Sequence, residues 1–218
     1  MNVADDAPPQ TMKALRSLLL AAAAAASAEA LSLSLLQARS AHLARLSAAP
    51  PTALPPDEWH TQRVDHFNVL SNNRTWLQRF WTNASFFTGD GPVFVYVEGE
   101  GAGSPGSVLG GQHVELAASR GALILSLEHR FYGASSPTGD MSEESLALLS
   151  SHQAIGDLAN FISTFVRVKY PTAGPVITFG GSYPGALSAW ARLRLPHAVW
   201  GAFSTSSPVL AQVDFVGG

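Results

Sequence analysis

The chain contains no cysteine. Disulfides within it, thiol catalysis and cysteine-zinc sites are therefore excluded, whereas secretion is not. Charge is scarce as well: Asp, Glu, Lys and Arg make up 13% of residues, against roughly 25% in an average soluble protein. Wholesale disorder would need a charge-rich, apolar-poor composition, and here 46% of residues are hydrophobic. With 13 basic and 16 acidic residues the formal net charge is −3. No basic excess exists to neutralise phosphates, so nucleic acid is not an expected partner. Neither an HExxH motif nor a Cys/His cluster occurs, so no metal and no cofactor is expected. No internal repeat is visible. What remains is 218 residues, enough for one α/β domain with a real core, since domains commonly run to roughly 100–200 residues. The low charge count also predicts apolar surface that is covered by something outside this chain.

The N-terminal stretch reads as a secretory address. Lys13 and Arg16 form a basic region ahead of the apolar run Leu18 to Ala26. Ala26-Ser27-Ala28 and Ala28-Glu29-Ala30 then offer small residues at cleavage spacing. This pattern predicts a signal peptide over residues 1–30, with Met12 as an alternative start. Extended through Leu36 the run approaches the length of a membrane span, about 20 residues, but Glu29 interrupts it and no stable membrane insertion is expected. Residues 31–56 read as a propeptide-like linker: 31–49 have amphipathic spacing, and Pro50, Pro51, Pro55 and Pro56 break the chain. The folded domain is then expected over 57–218. Asn73-Arg74-Thr75 and Asn83-Ala84-Ser85 are glycosylation acceptors. They agree with a secreted protein, or one delivered to a lysosomal or endosomal vesicle.

Within the domain, strands and helices alternate. Residues 92–97 and 122–127 are short apolar runs rich in β-branched and aromatic side chains, as strands buried on both faces should be. A helix is expected over 114–120, closed by Gly121. Leu146, Leu149, Ile155, Leu158, Ile162, Phe165 and Val166 fall near a 3.6-residue period, which predicts a helix from about Ser142 to Tyr170, stopped by Pro171. Residues 175–179 make a third strand, 186–195 a helix, and 198–204 a fourth strand. The alternation implies βαβ units and a mainly parallel sheet.

The third strand runs into Gly180-Gly181-Ser182-Tyr183-Pro184-Gly185 and then into a helix. A serine at the apex of a strand-turn-helix is a nucleophile elbow. The turn strains the serine backbone and demands small neighbours, which Gly180 and Gly185 supply. The strict motif wants glycine two places after the serine, where Pro184 stands. A phosphate-binding loop would need a following lysine, and none is there; an ordinary strand-to-helix turn remains the plain alternative. An acyl-transfer site also needs an oxyanion hole. The N–H of Tyr183 is one expected donor, and the glycine-rich loop Gly99-Glu100-Gly101 after the first strand is placed to give the other.

Several motifs occur together: Val64-Asp65-His66-Phe67-Asn68, Asp90-Gly91-Pro92-Val93-Phe94, Glu98-Gly99-Glu100-Gly101, Glu128-His129-Arg130-Phe131-Tyr132-Gly133 and Gly180-Gly181-Ser182-Tyr183 with Gly185. In this order they resemble the serine peptidase family of prolyl (Pro-X) carboxypeptidase, dipeptidyl peptidase II and thymus-specific serine protease. The last branch is nearest, through the Glu128–Gly133 motif and the Leu149-Ser150-Ser151 segment. The resemblance spans about residues 58–215. It implies an α/β-hydrolase fold, a Ser-Asp-His triad, and peptide substrates often cleaved after proline. Ser182 matches the nucleophile, Tyr183 and Gly99 the oxyanion region. Glu100 matches an acidic position that, in the dipeptide-releasing branch, lies near the free amino end of the substrate. A homodimer is expected of the full-length enzyme.

The triad order in this fold is Ser, Asp, His. After Ser182 only His197 and then Asp214 remain, in the wrong order. His66 and His129 sit in family motifs that match no catalytic role, and His113 and His152 read as loop and helix-surface residues. The expectation is an N-terminal portion of a longer enzyme, without its helical cap, its later strands and the catalytic Asp and His, and inactive by itself. Two other classes stay open: a lipase or esterase on the same fold, and an inert binding or regulatory form.

Overall fold

The computed structural model describes residues 53–68, 70 and 72–210. The expected signal peptide, most of the expected linker, and Asp214 lie outside the described residues. Six strands form one sheet: β1 (Glu58–Arg63), β2 (Thr75–Asn83), β3 (Val93–Val97), β4 (Leu123–Leu127), β5 (Val176–Gly181) and β6 (Gly201–Thr205), in the spatial order β1-β2-β4-β3-β5-β6. β4, β3, β5 and β6 are parallel, with Val95 opposite Leu125 and Thr178, and Phe179 opposite Phe203. β1 and β2 form an antiparallel hairpin whose second strand pairs antiparallel with β4, Phe80 facing Leu127.

The sheet is covered on both faces, which is why its central strands are mostly apolar, with Ser126 and Thr178 as buried polar exceptions. Val93, Val95 and Val97 pack on one side with Phe80, Leu123 and Leu125. That side is covered by α3 (Ser151–Phe161) and α5 (Tyr183–Arg194), which contribute Leu158, Phe161, Leu187 and Ala191. Phe94, Ile124 and Phe179 point the other way, with Trp81, against Val114, Ala117 and Ala118 of α1 (Gln112–Arg120). α1 ends at Gly121, whose left-handed φ of 63° lets its N–H close on Ala117 O.

The long helix expected from Ser142 is broken. α2 (Glu143–Leu146) stops after one turn, and α3 starts afresh at Ser150, whose hydroxyl accepts from the N–H of Gln153 at 3.2 Å. A serine at an N-cap satisfies a helix donor that nothing else would, and that local bond outweighs the apolar period running through it. After Phe161 the chain passes through a wider π-type turn, Ile162–Val166, into α4 (Arg167–Lys169).

Buried polar residues tie the hairpin to the helical layer. Arg130 is fully buried and grips Asp157 of α3 with Nε–Oδ2 at 2.7 Å and Nη2–Oδ1 at 2.8 Å. His66 Nε2 reaches Asp157 Oδ1 at 2.7 Å. Gln62 donates to Gln78 Oε1 and to Asp157 O, and Gln78 donates to Glu128 O. Asp65 turns the chain after β1. Burial alone would raise its carboxyl, but the Asn68 amide, the Phe67 N–H, Gln153 and the Asn68 N–H all donate to it and hold it far below the usual carboxylate range.

The two glycosylation acceptors differ in the fold. Asn73 is exposed in the loop between β1 and β2. Asn83 is buried, and its Nδ2, the atom a glycan would occupy, donates to Val108 O at 2.8 Å. A sugar there would have no room beside the Val108 carbonyl and would have to force the packed segment ahead of α1 away. We propose that Asn73 carries glycan and Asn83 does not. Mass mapping of protein secreted by a eukaryotic host checks this, and the same spectra are expected to show a mature N-terminus beyond Ala26; glycan on Asn83, or retention of Leu18 to Ala26, would contradict one or the other.

Candidate active site

β5 delivers the chain to Ser182, and α5 starts at the next residue. Ser182 has φ 58° and ψ −134°, a backbone region that non-glycine residues pay about 1–3 kcal/mol to occupy. The elbow is braced from β6: the Ser182 N–H donates to Thr205 O at 3.0 Å. Close packing explains its glycines. A Cβ on Gly180 would collide with the backbone of Pro184, and one on Gly185 with Ser207 Oγ. Pro184, which departs from the strict motif, occupies the first turn of the helix, where its missing N–H costs nothing. The side chain of Ser182 is exposed and makes no hydrogen bond among the described residues. A serine at a strained apex between a parallel strand and a helix is the α/β-hydrolase arrangement.

The glycine loop comes to the same place. A Cβ added to Gly99 would lie 2.5 Å from Pro184 Cγ, so the loop after β3 rests against the elbow and a larger residue would lever the two apart. The loop is pinned at both ends. Glu98 accepts from Ser126 Oγ at 2.6 Å and its N–H donates to Leu127 O, while the Gly103 N–H donates to Glu128 Oε1 at 2.8 Å. Glu100, exposed between them, faces a cleft of about 260 Å³ together with Tyr132, Tyr183, Trp190 and the Leu149–Ser151 segment.

Tyr183 does more than lend its amide. Its hydroxyl lies 3.1 Å from His129 Nε2, and His129 Nδ1 lies 2.7 Å from Arg130 O. A carbonyl can only accept, so Nδ1 carries the proton and Nε2 accepts from the tyrosine. Burial pushes the His129 imidazole down, against the pull of that carbonyl bond and of Asp157. Tyr183 is pushed up to about 12, by burial first and then by the Glu100 and Tyr132 charges. The Tyr183 hydroxyl therefore keeps its proton as a donor, and burial favours the neutral form of the His129 ring that accepts it.

None of the histidines singled out in the sequence touches Ser182 Oγ. His66 is on Asp157, His129 on Tyr183, and His113 on Ser107 O at 2.6 Å. His113 is not a loop residue but a buried one on α1, stacked on Tyr96. His152 lies exposed on α3, stacked on Phe67. His197 lines a separate groove with His66 and Arg167. Sequence reasoning missed the work of Glu128 and Arg130. The signal was present: three ionisable residues in a row directly after a buried strand whose one polar residue is Ser126 must be buried with partners or not be there.

Comparison with known proteins gives the relationship. Residues 62–217 match the family described as serine carboxypeptidase S28. Thymus-specific serine protease of Homo sapiens is 44% identical over 182 residues, covering 82% of this chain and 35% of that protein. The Mus musculus protein of the same name is 46% identical over 169 residues, covering 76% and 33%. Lysosomal Pro-X carboxypeptidase of Homo sapiens is 33% identical over 181 residues, covering 76% and 36%. The chain thus spans about a third of the length of the curated relatives it matches. Matched from Gln62 across nearly all of its folded part, the chain belongs to the serine carboxypeptidase S28 family.

Proposed function

We propose that this chain carries the nucleophile and the oxyanion hole of a serine exopeptidase of the secretory or lysosomal route, acting on peptides with proline next to the scissile bond. The observation behind it is Ser182 itself: a strained, exposed serine with an unengaged hydroxyl, at the positive end of α5, with the Gly99 loop against its turn. In this reading Ser182 Oγ attacks the scissile carbonyl, and the charge that develops on its oxygen falls between the Tyr183 N–H and the Gly99 arm. The hydroxyl proton needs an acceptor. No imidazole among the described residues is bonded to Ser182, so we assign that acceptor and its carboxylate to residues outside them.

The cleft beside the elbow supports attack near the amino end of the peptide. Glu100 supplies a carboxylate there, Tyr132 and Tyr183 supply hydroxyls, and Trp190 supplies an apolar wall. Among the described residues no lysine or arginine lines the cleft, whereas a substrate's terminal carboxylate would call for one. The full-length enzyme is therefore expected to prefer an Xaa-Pro reporter with a free amino group over its N-acetylated form by at least about tenfold in kcat/KM, since one lost charge pair of about 1.4 kcal/mol gives that factor. Equal rates on the two reporters would remove Glu100 from the site. Preference for a short ester over both would make the enzyme an esterase instead.

A further inference from the structure

We propose that Glu128 is a positioning residue that holds the oxyanion arm at its working distance from the elbow; this rests on the reading of Ser182 as nucleophile. Glu128 lies directly after β4 and is fully buried. A carboxylate is costly to bury unless every lone pair is met. Here each oxygen is engaged. Oε1 accepts from the Gly103 N–H at 2.8 Å and Arg79 Nη2 at 2.7 Å. Oε2 accepts from Ser135 Oγ at 2.7 Å, the Ala134 N–H at 3.1 Å and Arg79 Nε at 3.2 Å.

The surroundings are shaped around that carboxylate. Gly133 has φ 59°, and a Cβ there would run into Glu128 Oε1. A Cβ on Gly103 would lie 2.8 Å from Trp81 and 3.3 Å from Glu128 Oε1. Backbone is thus brought to the acid from two loops, and one of them is the far end of the Gly99 arm. The near end is fixed to the same strand, through Glu98 and Ser126. On the other side of the hole, His129 fixes Tyr183. Consecutive residues at the end of β4 therefore grip the two donors of one oxyanion hole: Glu128 the loop, His129 the elbow. Neither the Glu128 carboxylate nor its donors line the cleft, so they touch no bound substrate directly and reach it only through the arm, which also carries Glu100.

The test uses the full-length enzyme. Glu128→Gln removes the charge that gathers these donors, and Glu128→Asp withdraws it by one methylene. Ser135→Ala removes a donor to the same carboxylate on the side away from the loop. Measured on the N-acetylated reporter, which does not engage Glu100, Glu128→Gln is expected to lower kcat about 10²-fold, the size seen on losing an oxyanion donor, with KM unchanged. Affinity for an N-acetylated peptidyl boronic acid, which adds to the serine and mimics the tetrahedral oxyanion, is expected to fall in step; affinity for an N-acetylated product dipeptide is not. Glu128→Asp is expected to show the same split more weakly, and Ser135→Ala to lower the melting temperature without it. The proposal is overturned if folded Glu128 variants keep wild-type kcat and boronate affinity, if Ser135→Ala shows the same split, or if neither Glu128 variant folds. Undiminished boronate binding by Ser182→Ala would instead overturn the assignment of the nucleophile.

Discussion

Replacing Ser182 with alanine is expected to lower turnover by the full-length enzyme about 10⁶-fold, the scale of losing a triad nucleophile, and to abolish labelling by a fluorophosphonate. The size follows from the role. Without Oγ no acyl-enzyme forms, and what remains is water attacking a carbonyl polarised by the oxyanion donors. The fold should not notice. Ser182 Oγ has no partner among the described residues, the backbone bond to Thr205 O is kept, and alanine and serine suffer the same strain at φ 58°. The melting temperature of the variant should therefore stay near that of the parent, which separates a chemical loss from a folding one. Residual Ser182-independent labelling, or turnover within about tenfold of the parent, would assign the nucleophile elsewhere.

The parallel part of the sheet was legible because burial on both faces leaves short, mainly apolar runs, and β3, β4 and β5 are such runs, interrupted only by Ser126 and Thr178 before the glycines that end β5. The antiparallel hairpin was not. Its inward positions include Gln62 and Gln78, which hydrogen-bond to each other, so β1 and β2 show no apolar alternation to read. The same chemistry hid the break after α2: the apolar period carries on through Leu149, but Ser150 caps a new helix. At the site, glycine spacing announced the elbow and the loop, since only a small residue fits where Gly99 meets Pro184 and Gly180 meets the same turn. The partners of Glu128, His129 and Arg130 could not be read, because Gly103, Tyr183 and Asp157 are brought to them only by the closing of the sheet and the docking of α3 and α5.

Arg130 is where that docking is expected to be most vulnerable. Its guanidinium has no exposed surface, and the Asp157 carboxylate facing it has almost none. Besides the paired bonds to Asp157, Nη1 donates to Leu148 O at 3.0 Å and Val64 O at 3.3 Å. Arg130→Met therefore strands a buried carboxylate with His66 as its remaining side-chain partner and leaves carbonyls of two loops unmet. Breaking such a pair from one side costs about 3–5 kcal/mol, a large share of the roughly 5–15 kcal/mol that keeps a domain folded. Leu148 precedes the Leu149–Ser151 wall of the cleft, so variants that still fold should also bind substrate less well. The double variant Arg130→Met with Asp157→Leu is expected to recover the part of the loss that comes from the stranded charge, while the Leu148 and Val64 carbonyls and the His66 ring, left without these partners, keep it below the wild type. Urea unfolding of the wild type, both single variants and the double variant measures this as a coupling energy. A loss under about 1 kcal/mol in Arg130→Met, or a double variant as unstable as the two single losses combined, would mean that the pair is incidental and that apolar packing of α3 and α5 holds the layers by itself.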